Sequence, residues 1–238
     1  MNISREHKFK GKDCKGEPIR CFFIPVRINY ELNEKKISEL KLPKEIAIAY
    51  SIQYKEIAEK IKGILSKKHK ITSFIQVLGC SKPIFSKETK AILLVSSGKF
   101  HAISIALETK LPVYVLESNE LRKISQDEIS ALQRKKNAAY LRFLNAEKVG
   151  IIVSTKPGQE NLKKAILAKD KLKDKKSYLF ISNNIAIGEF ENFPDIKSWV
   201  NTACPRMDFD SSIFNLGDLD FSHSKNRLNS YNNSSRNK

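Results

Sequence analysis

Short runs of apolar side chains, each closed by a polar or glycine-containing turn, recur through the chain. Ile46-Ala47-Ile48-Ala49-Tyr50, the run from Ile71 to Leu78, Ala91-Ile92-Leu93-Leu94-Val95 and Pro112-Val113-Tyr114-Val115-Leu116 all have strand length. Their near-continuous hydrophobicity suits strands buried on both faces of a parallel sheet. Between the first two, Ile57, Ile61, Ile64 and Leu65 recur at helical spacing with lysines on the opposite side, which predicts a surface helix on that sheet. A further helix contains His101, Ile103, Ile105 and Ala106, and Glu34 to Leu40 has helical composition. The earlier run Cys21 to Val26 reads as a first strand, with Pro25 placing it at an edge or at the strand's end and Cys21 in the core.

The pattern then repeats. Ser125-Gln126-Asp127-Glu128 carries the side chains of a capping box and predicts a long helix toward Lys148. Val149 to Val153 is a strand, a helix is expected from Gln159, Tyr178 to Ile181 is a strand, and another ends at Cys204. The fold class is therefore α/β, built as two consecutive parallel-sheet modules with helices on both faces. The expected organisation is a basic, extended or unordered arm over residues 1–19, a module over 20–120 and a connecting helix over 121–148. A second module follows over 149–215, and a polar, disordered tail over 216–238.

Composition narrows the function classes. The chain has 238 residues and is 41% hydrophobic, enough for one or two ordinary cores. No apolar run approaches the roughly 20 residues of a membrane span, and MNISREHKFKGKDCKG has no apolar signal region, so the expected location is cytoplasmic, without a membrane. Lysine and arginine exceed aspartate and glutamate by 43 to 26, a net charge of +17. That raises the question of RNA or another polyanion as partner, but the lysines are scattered and lack the interleaved aromatic residues that stack bases, which favours a solvated surface. Cys14, Cys21, Cys80 and Cys204 include no CxxC pair, which speaks against a zinc knuckle, and a chain without a secretory signal has little use for disulfides. Buried thiols, or ligands assembled from distant parts of the fold, remain.

Candidate chemistry collects at the predicted strand ends, where ligands bind in open α/β sheets. Cys204 closes Asn201-Thr202-Ala203 and is followed by Pro205 and Arg206, so it is placed like a ligand or is a small buried hydrophobe. Cys80 follows Gln76-Val77-Leu78-Gly79 in the same manner. The turn Ser96-Ser97-Gly98-Lys99-Phe100-His101 offers a histidine that could donate to a ligand or cap its helix. In Ser154-Thr155-Lys156-Pro157-Gly158-Gln159, the amides of Gly158, Gln159 and Glu160 at a helix N-terminus would suit a carboxylate; a plain tight turn is the alternative. The P-loop pattern is absent, so a nucleoside triphosphate is not indicated. Cys14 lies on the arm, where a metal ligand is poorly held.

Taken together, QVLGC, the glycine-basic-Phe-His turn, VGIIVSTKPGQ and NTACPR stand in the order and spacing of the diphthamide-synthesis family of iron-sulfur enzymes, which the chain resembles over roughly the last two of that family's three similar domains. The family's first turn is more acidic and glycine-rich; Ser96 and Ser97 stand there in this chain. The resemblance implies a 4Fe-4S cluster held by three cysteines, one per domain, with Cys80 and Cys204 matching the second and third. It implies S-adenosylmethionine as the second cofactor, bound by Ser154, Thr155, Lys156, Gly158, Gln159 and His101. Electron transfer from the reduced cluster then generates a 3-amino-3-carboxypropyl radical that adds to a histidine of translation elongation factor 2, the first step toward diphthamide. Glu6-His7-Lys8-Phe9 would be a remnant of the missing first domain. A homodimer or a separately encoded first-domain subunit would supply the third thiolate, and an electron donor is needed. A non-catalytic accessory subunit, or a basic RNA- or protein-binding module on the same fold, is the alternative.

Overall fold

The computed structural model describes residues 7–12, 18–21, 26–78, 83–156, 158–207 and 213–218, the first two segments as backbone. Cys14, Cys80 and Pro157, with the segment after Leu216-Gly217-Asp218, lie outside the described residues. The chain divides into two compact units, Met1–Leu132 and Gln133–Lys238.

The first unit opens with β1 (His7–Lys12) and β2 (Pro18–Cys21), an antiparallel pair with His7 opposite Cys21. The low apolar content of this stretch predicted an extended or unordered arm; the backbone is extended and paired. The expected strand from Cys21 to Val26 is corrected at both ends. Cys21 closes β2, whereas Val26 is outside any strand and exposed. Side-chain burial of Cys21 and residues 22–25 lie outside what is described.

Next come α1 (Glu34–Ser38), β3 (Glu45–Tyr50), α2 (Lys55–Leu65), β4 (Lys70–Gln76), β5 (Ala91–Val95), α3 (Phe100–Thr109), β6 (Val113–Glu117) and β7 (Glu120–Lys123). The sheet order is β4-β3-β5-β6-β7, parallel except for the antiparallel β7. Ile46, Ile48 and Tyr50 of β3 and Leu93 and Val95 of β5 pack with Ile57, Ile61 and Leu65 of α2 in one core. The alternate residues Ala47, Ala49, Ile92 and Leu94 are equally buried on the other side. Because β3 to β4 and β5 to β6 run in opposite directions across the sheet, right-handed crossovers put α2 and α3 on opposite faces. The two-residue hairpin Ser118-Asn119, both at positive φ, returns the chain as β7, which the polar sequence ELRK did not signal.

The long helix is α4 (Gln126–Asn145), and its capping box forms as the sequence predicts. The Glu128 amide donates to Ser125 Oγ at 3.2 Å, and the Ser125 amide donates to the Glu128 carboxylate at 3.1 Å. The second unit then builds β8 (Lys148–Ser154), α5 (Leu162–Lys171), β9 (Lys176–Ser182), β10 (Ser198–Asn201) and the two-residue β11 (Phe214–Asn215). Its sheet order is β11-β10-β8-β9, all parallel. One face packs Val149, Ile151 and Val153 against Phe143 of α4 and Ala165 of α5. The opposite face carries Trp199, stacked on Phe190 at 4.1 Å and edge-on to Phe180 at 4.7 Å. Trp199 sits opposite Gly150 in the β8–β10 register, and a Cβ on Gly150 would overlap the indole.

Candidate functional site

Both sheets share one topology. In each, the first parallel strand sends its successor to one side and the next strand to the other, giving β4-β3-β5 and β9-β8-β10. The direction of winding reverses at the central strand, and the crevice at the carboxyl ends there is where such sheets bind ligands.

In the first unit the crevice is bounded by the ends of β3 and β5. The Ser51 amide donates to Val95 O at 3.3 Å and the Val77 amide to Tyr50 O at 2.8 Å, so the strand ends are tied before the chain departs. Ser96 is buried and its hydroxyl donates to Ser97 O at 3.1 Å, while Gly98 takes φ +78°, a value that favours glycine. The turn delivers Lys99 and then His101, half-buried at the start of α3 with its ring edge-on to Phe100 at 5.3 Å. Lys99 Nζ lies 3.2 Å from the Glu128 carboxylate. The Ser125 amide is the main reason that carboxyl is held at about 2; Arg122 and Lys99 add to the effect, and burial opposes it. Cys80 is outside the described residues; β4, the strand leading to it, ends at Gln76 opposite Tyr50.

In the second unit the crevice lies between β8 and β10 and brings two of the sequence motifs together. Ser154, at the end of β8, is buried, and its hydroxyl accepts from the Lys156 amide at 3.1 Å. Thr155 donates its amide to Ser182 O at 3.1 Å, and its side chain, like that of Lys156, is exposed. The Gln159 amide donates to Lys156 O at 3.0 Å, closing a turn in which Gly158 takes φ +78°, a value that favours glycine. This takes the Gln159 amide out of the expected cradle. The helix does not start at Gln159 but at Leu162, because Asn161, at φ −132° and ψ 40°, is outside the helical conformation. The loop side chains exposed to a ligand are Thr155, whose hydroxyl lies 3.5 Å from Asn183 Oδ1, and Lys156, beside the exposed Gly158.

Asn161 was not anticipated from the sequence. Its side chain does not cap α5; Nδ2 donates to Thr202 O at 2.8 Å and so joins the β8 loop to the β10 loop. Thr202 itself donates both amide (3.1 Å) and hydroxyl (2.7 Å) to Ile152 O, extending the β8–β10 pairing past the last strand residue. Cys204 follows, half-buried and free, and the Met207 amide donates to its carbonyl at 3.1 Å. Two buried carboxamides hold this turn. Asn201 Oδ1 accepts from the Ala203 amide at 2.8 Å, and its Nδ2 donates to Cys204 O at 2.8 Å and to Asn215 Oδ1 at 2.6 Å; Asn215 Nδ2 donates to Pro205 O at 2.8 Å. Asn215 had no signal in the sequence, because a two-residue strand leaves no periodicity to read.

Among the described residues no three histidine, cysteine, aspartate or glutamate side chains converge on a metal position. Also among the described residues, no helix is long and apolar enough to cross a membrane.

Comparison with known proteins agrees with the motifs. A family model for diphthamide synthesis proteins matches residues 10–215. The 2-(3-amino-3-carboxypropyl)histidine synthase of Methanocaldococcus jannaschii is 28% identical over 82% of this chain and 58% of its own length. That of Pyrococcus horikoshii is 31% identical over 57% of this chain and 40% of its own. Among solved structures, Dph2 from Pyrococcus horikoshii superposes with a TM-score of 0.65 at 26% identity, covering 77% of this chain and 57% of that one. A second crystal structure of that protein, with a 4Fe-4S cluster, gives 0.64. The chain thus spans about half the length of the relatives it matches.

Proposed function

Because the chain belongs to the diphthamide synthesis protein family, we propose that it supplies two of the three modules of a 2-(3-amino-3-carboxypropyl)histidine synthase, acting on a histidine of translation elongation factor 2. The observation that carries this reading is the meeting of Ser154 to Gln159 with Asn201 to Arg206 at the crevice of the second sheet, joined by the Asn161 to Thr202 bond. A ligand there touches both motifs at once.

The donor chemistry fits an iron-sulfur cluster. Cys204 offers a half-buried thiol on a turn fixed by side-chain hydrogen bonds, and thiolates are the usual ligands of such clusters. In this reading Cys80 is the second ligand, and a third thiolate comes from a second copy of the chain or a separate first-domain subunit. Reduced by an electron donor, the cluster supplies the electron that cleaves S-adenosylmethionine. The chain's own part is to bind and orient. Lys156, exposed beside Gly158, pairs with the carboxylate of S-adenosylmethionine, Thr155 and Gln159 border it, and Ser154 shapes the loop through the Lys156 amide. His101 stands at the corresponding crevice of the first unit as a donor toward bound cofactor. The solvent-facing lysines, the source of the +17 charge, give the surface an electrostatic attraction for acidic partners.

Anaerobic reconstitution with iron and sulfide tests the reading. The wild-type chain, alone and mixed with a first-domain polypeptide, is expected to gain iron and visible charge-transfer absorbance, and with dithionite to release methylthioadenosine from S-adenosylmethionine. Cys204→Ser and Cys80→Ser are expected to lose the iron while keeping the fold. Unchanged iron content in both variants, or a colourless wild-type mixture that binds RNA in a salt-sensitive way, would overturn it in favour of a basic binding module.

A further inference from the structure

We propose that Asn201 and Asn215 are positioning residues for Cys204, forming a carboxamide clamp that fixes the backbone on both sides of the thiol before any cluster binds. The inference rests on the reading of Cys204 as a cluster ligand for its functional meaning, and on the hydrogen bonds alone for its geometry.

A strand end that leaves the sheet loses its ladder partners, and the segment after Asn201 contains Pro205, which has no amide to offer. Left alone, such a loop samples many conformations. Here three backbone groups in succession, the Ala203 N–H, the Cys204 carbonyl and the Pro205 carbonyl, are each bound by a buried side chain. An apolar residue cannot do this, and at Asn201 neither can a hydroxyl, because the task there needs an acceptor and two donors and a hydroxyl has a single O–H. The 2.6 Å bond between the carboxamides ties their orientations together, so a flip costs Asn201 three partners and Asn215 two. Asn201 is 3% exposed and Asn215 7%, and burial of the two carboxamides is tolerable because the side-chain nitrogen and oxygen of each have a hydrogen-bond partner. The clamp also assigns a purpose to β11. Two residues long, it adds little to the sheet, but its register, Asn201 opposite Asn215, places the second carboxamide against the first.

The test uses the full-length chain with Asn215→Ala and Asn215→Asp; the second keeps an acceptor for Asn201 but turns a carboxylate oxygen, in place of the N–H donor, toward Pro205 O. Two readouts are taken. In the reduced, metal-free protein, the rate at which iodoacetamide alkylates Cys204 is followed by mass spectrometry of its peptide, with Cys21 as internal reference. In the reconstituted protein, iron content at limiting iron and the visible absorbance are measured. The expected result is that alkylation of Cys204 relative to Cys21 rises at least about fivefold in Asn215→Ala, the order of shift allowed by losing even one of its two hydrogen bonds, and at least as much in Asn215→Asp, where a carboxylate oxygen faces the Pro205 carbonyl, and that iron retention falls in both. A ratio unchanged in both variants overturns the clamp, including when Asn215→Ala lowers the melting temperature, since that is a merely structural role. The alkylation readout holds even if no cluster forms in wild type, so failure of the clamp and failure of the proposed function are told apart.

Discussion

Replacing Glu128 by glutamine removes a charge while keeping the shape of the capping box, and the structure sets how much this should cost. The carboxylate accepts from the Ser125 amide at 3.1 Å and from Arg122 Nη1 at 2.9 and 3.1 Å, with Lys99 Nζ at 3.2 Å. Together these hold its pKa at about 2, below the ordinary 4.5. At ~1.4 kcal/mol per unit, the upper bound on the contribution of ionisation is ~3 kcal/mol. The Lys99 and Arg122 side chains are 61% and 42% exposed, so solvent screening brings the expected loss in Glu128→Gln to about 1–2 kcal/mol. A carboxyl with a depressed folded pKa stabilises above its unfolded pKa and loses that stabilisation as pH falls through the folded value. The gap between wild type and variant should therefore be constant above about pH 5.5 and shrink to about half near pH 3. Urea unfolding followed by far-UV circular dichroism at several pH values measures it. Equal stabilities at neutral pH, or a gap that stays constant to about pH 3, would refute the assignment of the stabilisation to charge. Because Lys99 opens the turn that leads to His101, the same variant is expected to loosen that turn, which amide exchange in residues 97–101 would register.

Gly150→Ala should destabilise the second unit by about 1–3 kcal/mol, because the new methyl overlaps an indole already held by Phe190 stacked on it and Phe180 edge-on to it; unfolding followed by Trp199 fluorescence would show it, and an unchanged midpoint would mean the ring repacks freely. Under the proposed function, Lys156→Ala should weaken S-adenosylmethionine binding by calorimetric titration while leaving the unfolding curve in place, since the exposed side chain makes no core contact; unchanged affinity would leave the loop a plain turn.

The elements themselves were largely legible in the sequence. Strands with two buried faces must be continuously apolar, so the runs at 46–50, 91–95 and 149–153 could hardly be anything else, and Ser125 to Glu128 carries a cap whose chemistry is local. Motif residues could be seen to fall at strand ends, because a break in apolar sequence marks where a strand leaves the core. What the sequence left open depends on contacts between residues far apart along the chain. The hairpin to β7 and the pairing of β11 lack the periodicity that would betray them. The start of α5 lies later than the sequence suggests because Asn161 is held in a non-helical conformation while its side chain reaches Thr202 O, 41 positions away. Most of all, the sheet order decides which strand ends are neighbours. Only the placing of β8 between β9 and β10 puts Lys156 in the same crevice as Cys204, and only the packing of β11 brings Asn215, 14 positions on in the sequence, back to hold Asn201. Hydrogen bonds between distant residues depend on the tertiary fold because each needs its partners placed to within a fraction of an ångström, an accuracy that the packed sheet confers and local sequence preference does not.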